Sequence, residues 1–304
     1  MTIQNKKNMN KIKTSAPGKL MLFGEHAVVY GYPCIVTTVQ SRIYVEVEKS
    51  EQFKIDAPQV KDLRFVEETV KIFCKKYNVS NNVLIKTYSD FSSKFGLGSS
   101  SAVTVATIRA LSQFYQIKIS KKEIFDLGYR VVKQVQGVGS GFDIASATFG
   151  GTLYFVTGGK IIKQLIIKNI HLVIGYSRVK ADTTSIVKSL ELKIENSELK
   201  YRKIFEKISK IVEEAKISLV NSDWKKTGEL MNQNHQLLQD LGVSTKKLDK
   251  MCQVSVEAGA YGAKLSGAGG GDCMIALVSK DKKEPVENSI VNAGGEIINV
   301  KINV

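Results

Sequence analysis

Apolar and polar side chains alternate from Ile35 to Glu48, where Ile43, Val45 and Val47 are set against Arg42, Glu46 and Glu48. A period of two marks a strand with one buried face. The spacing of Leu63, Val66, Val70 and Phe73 predicts a helix over 60–77, and Val83 to Tyr88 reads as a strand. From Ala102 to Tyr115 apolar residues fall on nearly every side (Val103, Val105, Ala106, Ile108, Leu111, Phe114), which predicts a central buried helix. Lys121 to Gln136 predicts another helix, stopped by Gly137. Strands are expected over 151–156 and 165–176, with Gly158-Gly159 between them. The second half reads as mostly helical, with a long stretch over 183–218 and helices over 223–241 and 243–258 before a strand at 273–278.

Four glycine-bearing stretches interrupt this pattern. Phe95-Gly96-Leu97-Gly98-Ser99-Ser100-Ser101-Ala102 runs directly into the apolar helix. Glycines at 96 and 98 let the backbone curl with its amides inward, and the helix adds the positive end of its dipole, a combination that holds phosphate. Serines 99 to 101 can cap that helix, and one hydroxyl could serve a magnesium ion; an ordinary capped helix after a turn is the bland alternative. Pro17-Gly18-Lys19 and Gly24-Glu25-His26 read as turns between strand-like pieces, putting Lys19, Glu25 and His26 at strand ends beside a cleft. Asp143 follows Gly139-Ser140-Gly141-Phe142, so it either projects into a site or caps a helix. Capping is likewise the simple reading of Asp182 and Thr183. Gly262 to Asp272 strips side chains from one patch of backbone, as close approach of another group requires, although a surface loop would look the same.

Composition narrows the class. The chain has 304 residues, enough for two domains, placed at 1–165 and 166–304. With 43% hydrophobic and 24% charged residues it has an ordinary globular balance. No apolar run approaches membrane-spanning length, and the polar, lysine-bearing start lacks the apolar core of a secretory signal, so a cytoplasmic location without membrane association is expected. Cys34, Cys74, Cys252 and Cys273 show no paired spacing and are expected to be reduced and buried. His171, inside an apolar run, is expected to be a core histidine. The net charge of +15 is spread along the chain without any nucleic-acid-binding motif, so nucleic acid is not expected as a partner. Such a surface would still gather polyphosphates.

Taken together, Ser15 to Pro33, Phe95 to Ala102, Gly137 to Ala147 and Gly262 to Asp272 make the chain resemble the GHMP superfamily of small-molecule kinases over essentially its whole length. Within the superfamily, Pro17-Gly18-Lys19, Gly24-Glu25-His26-Ala27-Val28-Val29 and the Asn234-His235 segment look like mevalonate kinases. The resemblance implies an α/β (α+β) fold of two domains, an N-terminal mixed sheet and a C-terminal ferredoxin-like split β-α-β unit. It implies transfer of phosphate from ATP, with Mg2+, to the primary hydroxyl of mevalonate. Asp143 would be the base and Lys19 its neighbour. Gly96, Leu97, Gly98, Ser99, Ser100 and Ser101 would bind the nucleotide, and Ser100 the metal. Glu25, His26, Thr183 and the Gly267-Ala268-Gly269 turn would face the acceptor. Two positions depart from the pattern: Val132 stands where these kinases carry a glutamate metal ligand, and Ser140-Gly141-Phe142-Asp143 together with Asp272 are words closer to phosphomevalonate kinases. A phosphomevalonate kinase and a non-catalytic ligand sensor of the superfamily therefore stay open, and a homodimer is carried as an expectation on which the sequence is silent.

Overall fold

The computed structural model describes residues 11–60 and 62–303. The polar start of the chain, on which the signal-sequence expectation partly rests, lies outside the described residues up to position 10. The first sheet is built around the 17-residue strand β2 (Pro33–Lys49), which pairs antiparallel along its length with β1 (Lys11–Phe23). Strand β3 (Lys54–Asp56) runs parallel to β4 (Val83–Ser89) after helix α1 (Arg64–Tyr77), and β4 joins the second half of β2. Helices α2 (Ser99–Phe114), α3 (Lys121–Gln136) and α4 (Phe142–Phe149) precede β5 (Thr152–Val156), which pairs with the first half of β2 and with β6 (Ile161–Leu165).

One feature of β1 departs from the sequence reading. Pro17-Gly18 is not a turn between strands but an irregularity inside a single strand, where the register with β2 shifts between Pro17 and Lys19. Proline has no N–H for the ladder, so the ladder breaks there. The break frees the Lys19 amide to donate to the Leu97 carbonyl at 2.9 Å, joining the strand to the glycine loop.

The apolar segment behind that loop is the buried helix its composition predicts: Ala102, Val105, Ala106, Ile108, Ala110 and Leu111 are all buried in α2, which packs on β1, β2, α1, α3 and α4. From its far side the Arg109 guanidinium donates to the carbonyls of Ser15, Ala147 and Thr148, so one side chain ties β1 to the end of α4.

The second sheet starts at β7 (Leu172–Tyr176) and continues through α5 (Thr183–Asn196), α6 (Glu198–Val220), α7 (Trp224–Asp240) and α8 (Lys246–Glu257) to β8 (Gly262–Ser266) and β9 (Cys273–Leu277). Helix α9 (Lys283–Asn292) leads to β10 (Glu296–Ile297), and the order β10-β7-β9-β8 is the antiparallel ferredoxin-like arrangement. The chain then returns, and β11 (Ile302–Asn303) pairs with Val39 and Thr38 of β2.

Several boundaries differ from the sequence reading. The expected strand over 165–176 is two, β6 and β7, joined by a loop in which His171 is exposed rather than in the core. The helix over 183–218 breaks at Ser197, whose ψ of 50° is not helical. Gly262–Ser266, read as part of a glycine run, is a fully buried strand. All four cysteines are buried and free. Among the described residues no helix is long and apolar enough to cross a membrane.

Candidate active site

The glycine loop closes through two left-handed residues, Gly96 (φ 67°) and Gly98 (φ 74°), a region that disfavours any side chain. Space forbids one as well. A Cβ on Gly96 would lie 2.6 Å from Asp272 Oδ2, and one on Gly98 would lie 2.9 Å from Lys19 Cγ. Gly98 itself is the N-cap of α2 and no side chain bonds back to the first turn, so the serines are not the caps the sequence suggested. They are the first three helical residues, whose amides have no partner within the helix and are free for an anion. Ser99, Ser100 and Ser101 line the cleft, whereas Leu97 is buried and contributes its carbonyl to Lys19.

Across the loop, the Lys19 ammonium lies 3.2 Å from Asp143 Oδ1 and 5.3 Å from the centre of the Phe142 ring. Lys19 is nearly buried, while about a third of the Asp143 side chain is open to the cleft. Asp143 sits in the first turn of α4 behind the N-cap Gly141, so it is free of any capping duty. The loop before it is pinned by the Tyr129 hydroxyl, which donates to the Gly139 carbonyl at 3.0 Å, and by the Gly158 amide on the Ser140 carbonyl.

The opposite wall comes from the second sheet. Thr183 opens α5, with Asp182 as its cap, and faces the cleft together with Gly267 and Ala268. His26 also lines it, and its Nε2 lies 2.8 Å from the Ala268 carbonyl. Burial holds the His26 imidazole below its ordinary basicity, against a smaller opposing effect of that carbonyl. Two expected residues lie elsewhere. Glu25 is behind the wall, fully buried against Lys264, and Gly269 packs on Val243, where a Cβ would sit 2.0 Å from the carbonyl oxygen.

Asp272 is the residue the sequence reading did not place in the site. It adopts the left-handed conformation of its glycine neighbours (φ 54°), accepts from the Ala181 amide at 2.9 Å and rests its other oxygen over Gly96. Partial burial raises its carboxyl pKa, opposed by that amide and by Lys19 and Lys180. A lone acid ending a run of glycines was the available signal. The resulting cleft of about 740 Å³ lies between the two sheets and holds Lys19, Asp143, Asp272, the serines and His26 on one continuous surface.

A glycine loop at a helix N-terminus, facing a lysine–aspartate pair across a cleft between a mixed sheet and a ferredoxin-like unit, defines a small-molecule kinase of the GHMP type. The family model for the GHMP kinases N terminal domain matches residues 64–151, and that for GHMP kinases C terminal matches residues 215–296. A mevalonate kinase from Pyrococcus abyssi is 36% identical, with 93% of each chain covered, and one from Thermococcus sibiricus is 34% identical over 96% of each. The crystal structure of the Methanococcus jannaschii mevalonate kinase superposes with a TM-score of 0.83 at 28% identity, covering 98% of this chain and 100% of that one. The chain belongs to the mevalonate kinase family of the GHMP kinases.

Proposed function

We propose that this protein transfers the terminal phosphoryl group of ATP to the primary hydroxyl of mevalonate, giving 5-phosphomevalonate and ADP. The observation that carries the reading is the Lys19–Asp143 pair, 3.2 Å apart at the mouth of the glycine loop. Phosphoryl transfer asks a protein for alignment and charge neutralisation rather than covalent chemistry. In this reading the amides of Ser99 to Ser101 hold the phosphates, and Asp143 accepts the hydroxyl proton as the oxygen bonds to phosphorus and the bond to the ADP oxygen breaks. Lys19, 3.2 Å from Asp143 Oδ1, holds that carboxylate in place and offsets negative charge on the attacking oxygen. His26, Thr183 and the Gly267-Ala268 backbone form the acceptor wall.

The oxygen donors on the cleft suit Mg2+, which takes one or two carboxylates, substrate phosphates and water. Ser100, Asp143 and Asp272 are of that chemistry, while Val132 presents only an aliphatic side chain. Bound there, the ion would neutralise polyphosphate charge, and Ser100 is the residue we assign to it. A cytoplasmic location and a homodimer complete the proposal, to be read by cell fractionation and light scattering.

The test is ADP release with Mg2+ and ATP, offering mevalonate, phosphomevalonate, galactose and homoserine separately, with phosphorus NMR of any product. Turnover with mevalonate alone and phosphate on its primary hydroxyl is expected. Turnover with phosphomevalonate alone would overturn the choice of acceptor, and silence with all four would favour a ligand sensor.

A further inference from the structure

Behind the acceptor wall lies an ion pair that the mechanism does not use. The Lys264 ammonium meets Glu25 Oε1, both side chains wholly shielded from solvent, and it donates also to the Leu265 carbonyl at 2.7 Å. Glu25 Oε2 has no hydrogen-bond partner among the described residues. A buried pair of this kind is commonly no more stabilising than two apolar side chains of the same size. Burial drives both groups toward neutrality, raising the glutamate pKa and lowering that of the lysine. Stability is therefore a weak reason for its presence, and its placement suggests another.

The pair bridges residues 239 apart in sequence, from the turn after β1 to β8. The contacts around it join the same two segments. Met21 exchanges two hydrogen bonds with the Ser266 hydroxyl (3.1 and 2.9 Å), Glu25 holds Lys264, and His26 Nε2 reaches the Ala268 carbonyl. Residues 264 and 266 share one face of β8, so Glu25 in the turn and Met21 in the strand before it are fastened to successive same-side positions, and His26 to the backbone just beyond β8. The turn needs fastening. His26 has φ 59° and ψ −51°, a conformation that a side-chain-bearing residue keeps only when its surroundings impose it. A carbonyl oxygen only accepts, so Nε2 carries the proton, and the ring, kept neutral by burial, has a bare Nδ1.

We infer that Glu25 and Lys264 are a positioning pair, locking the strained His26 turn onto β8 so that the imidazole keeps one orientation and one tautomer in the acceptor wall. The inference rests on the reading of that wall as the acceptor's, and it makes Glu25 a residue that shapes substrate binding without touching substrate.

The test compares wild type with Glu25→Leu/Lys264→Met, which replaces the pair by apolar side chains of similar volume and avoids stranding one charge. The double variant should fold, raise the acceptor KM by about 10-fold or more and leave the ATP KM within about twofold, because only the acceptor wall loosens. His26→Ala should raise the acceptor KM as well, and adding it to the double variant should bring little further loss, since the pair acts through His26. Glu25→Gln, which can accept from a neutral lysine, should stay within about threefold of wild type. Nitrogen-15 spectra of the His26 ring should report the Nε2–H tautomer in wild type and a mixture in the double variant. A double variant with wild-type acceptor KM and ring spectrum would overturn the proposal. So would losses that simply add to those of His26→Ala, or a Glu25→Gln as impaired as the double variant. If wild type itself fails to turn over mevalonate, the functional reading falls while the ring spectra still decide the positioning role.

Discussion

Replacing Asp143 by asparagine keeps the size of the side chain and its place beside Lys19 but removes the carboxylate that we propose as proton acceptor. Turnover should fall by roughly 10²-fold or more while ATP affinity stays within about twofold, as read by single-turnover kinetics and calorimetric titration. Near-normal turnover would remove Asp143 as the base. A second residue-scale prediction concerns His235, which lies in the helical segment that resembles mevalonate kinases but to which the sequence assigns no role. Its Nδ1 accepts from the Leu265 amide and its Nε2 lies 3.1 Å from Asp249 Oδ1. Burial lowers its pKa from 6.5 to about 4, more strongly than Asp249 raises it. The unfolded imidazole therefore takes up a proton as pH falls through 6.5, while the folded one stays neutral until about 4. Stability present above 6.5 should be lost across that window, by on the order of 3 kcal/mol at about 1.4 kcal/mol per unit. Urea unfolding at pH 7 and pH 4.5 measures the loss, and His235→Gln should flatten it. At this scale Lys19, His26 and Asp143 were legible from their glycine-rich settings. The burial of Glu25 was not, because nothing local in Gly24-Glu25-His26 announces a lysine brought up from position 264.

Elements show where local pattern carries and where it does not. Helix α2 follows from its all-round apolar composition and α3 from a span stopped by Gly137, and α3 also carries a capping box between Ser120 and Glu123. The irregularity in β1 was legible only as Pro-Gly, which by local chemistry reads as a turn; pairing with β2 on one side keeps it a strand. The glycine loop behaves as its composition requires. Gly98→Ala puts a methyl against Lys19 Cγ and Cε, at 2.9 and 3.0 Å, in a left-handed conformation. It should therefore displace both the loop amides and the lysine, lowering kcat and raising the ATP KM by about 10-fold each. A loss confined to acceptor KM would count against the loop as the phosphate site.

Across the whole molecule the two sheets are joined too closely to unfold apart. Strand β11 returns from the second sheet to β2, Tyr30 stacks on Phe205 with ring centres 4.7 Å apart, and Glu25–Lys264 and Met21–Ser266 close the seam between β1 and β8. Scanning calorimetry should show one cooperative transition, and two resolved endotherms would show that the sheets melt separately. The sequence by itself determined the buried helix, the left-handed loop beside it and the lysine, histidine and aspartate set among glycines, because apolar content and backbone freedom are properties of neighbouring residues. Only the tertiary structure decided that Pro17-Gly18 stays within a strand, that Glu25 is buried behind the wall, that Gly269 packs on Val243 and that Asp272 comes to rest on Gly96. Each of those outcomes depends on a partner far along the chain, and the order of strands in two sheets, not the spacing of residues in one segment, brings such partners together.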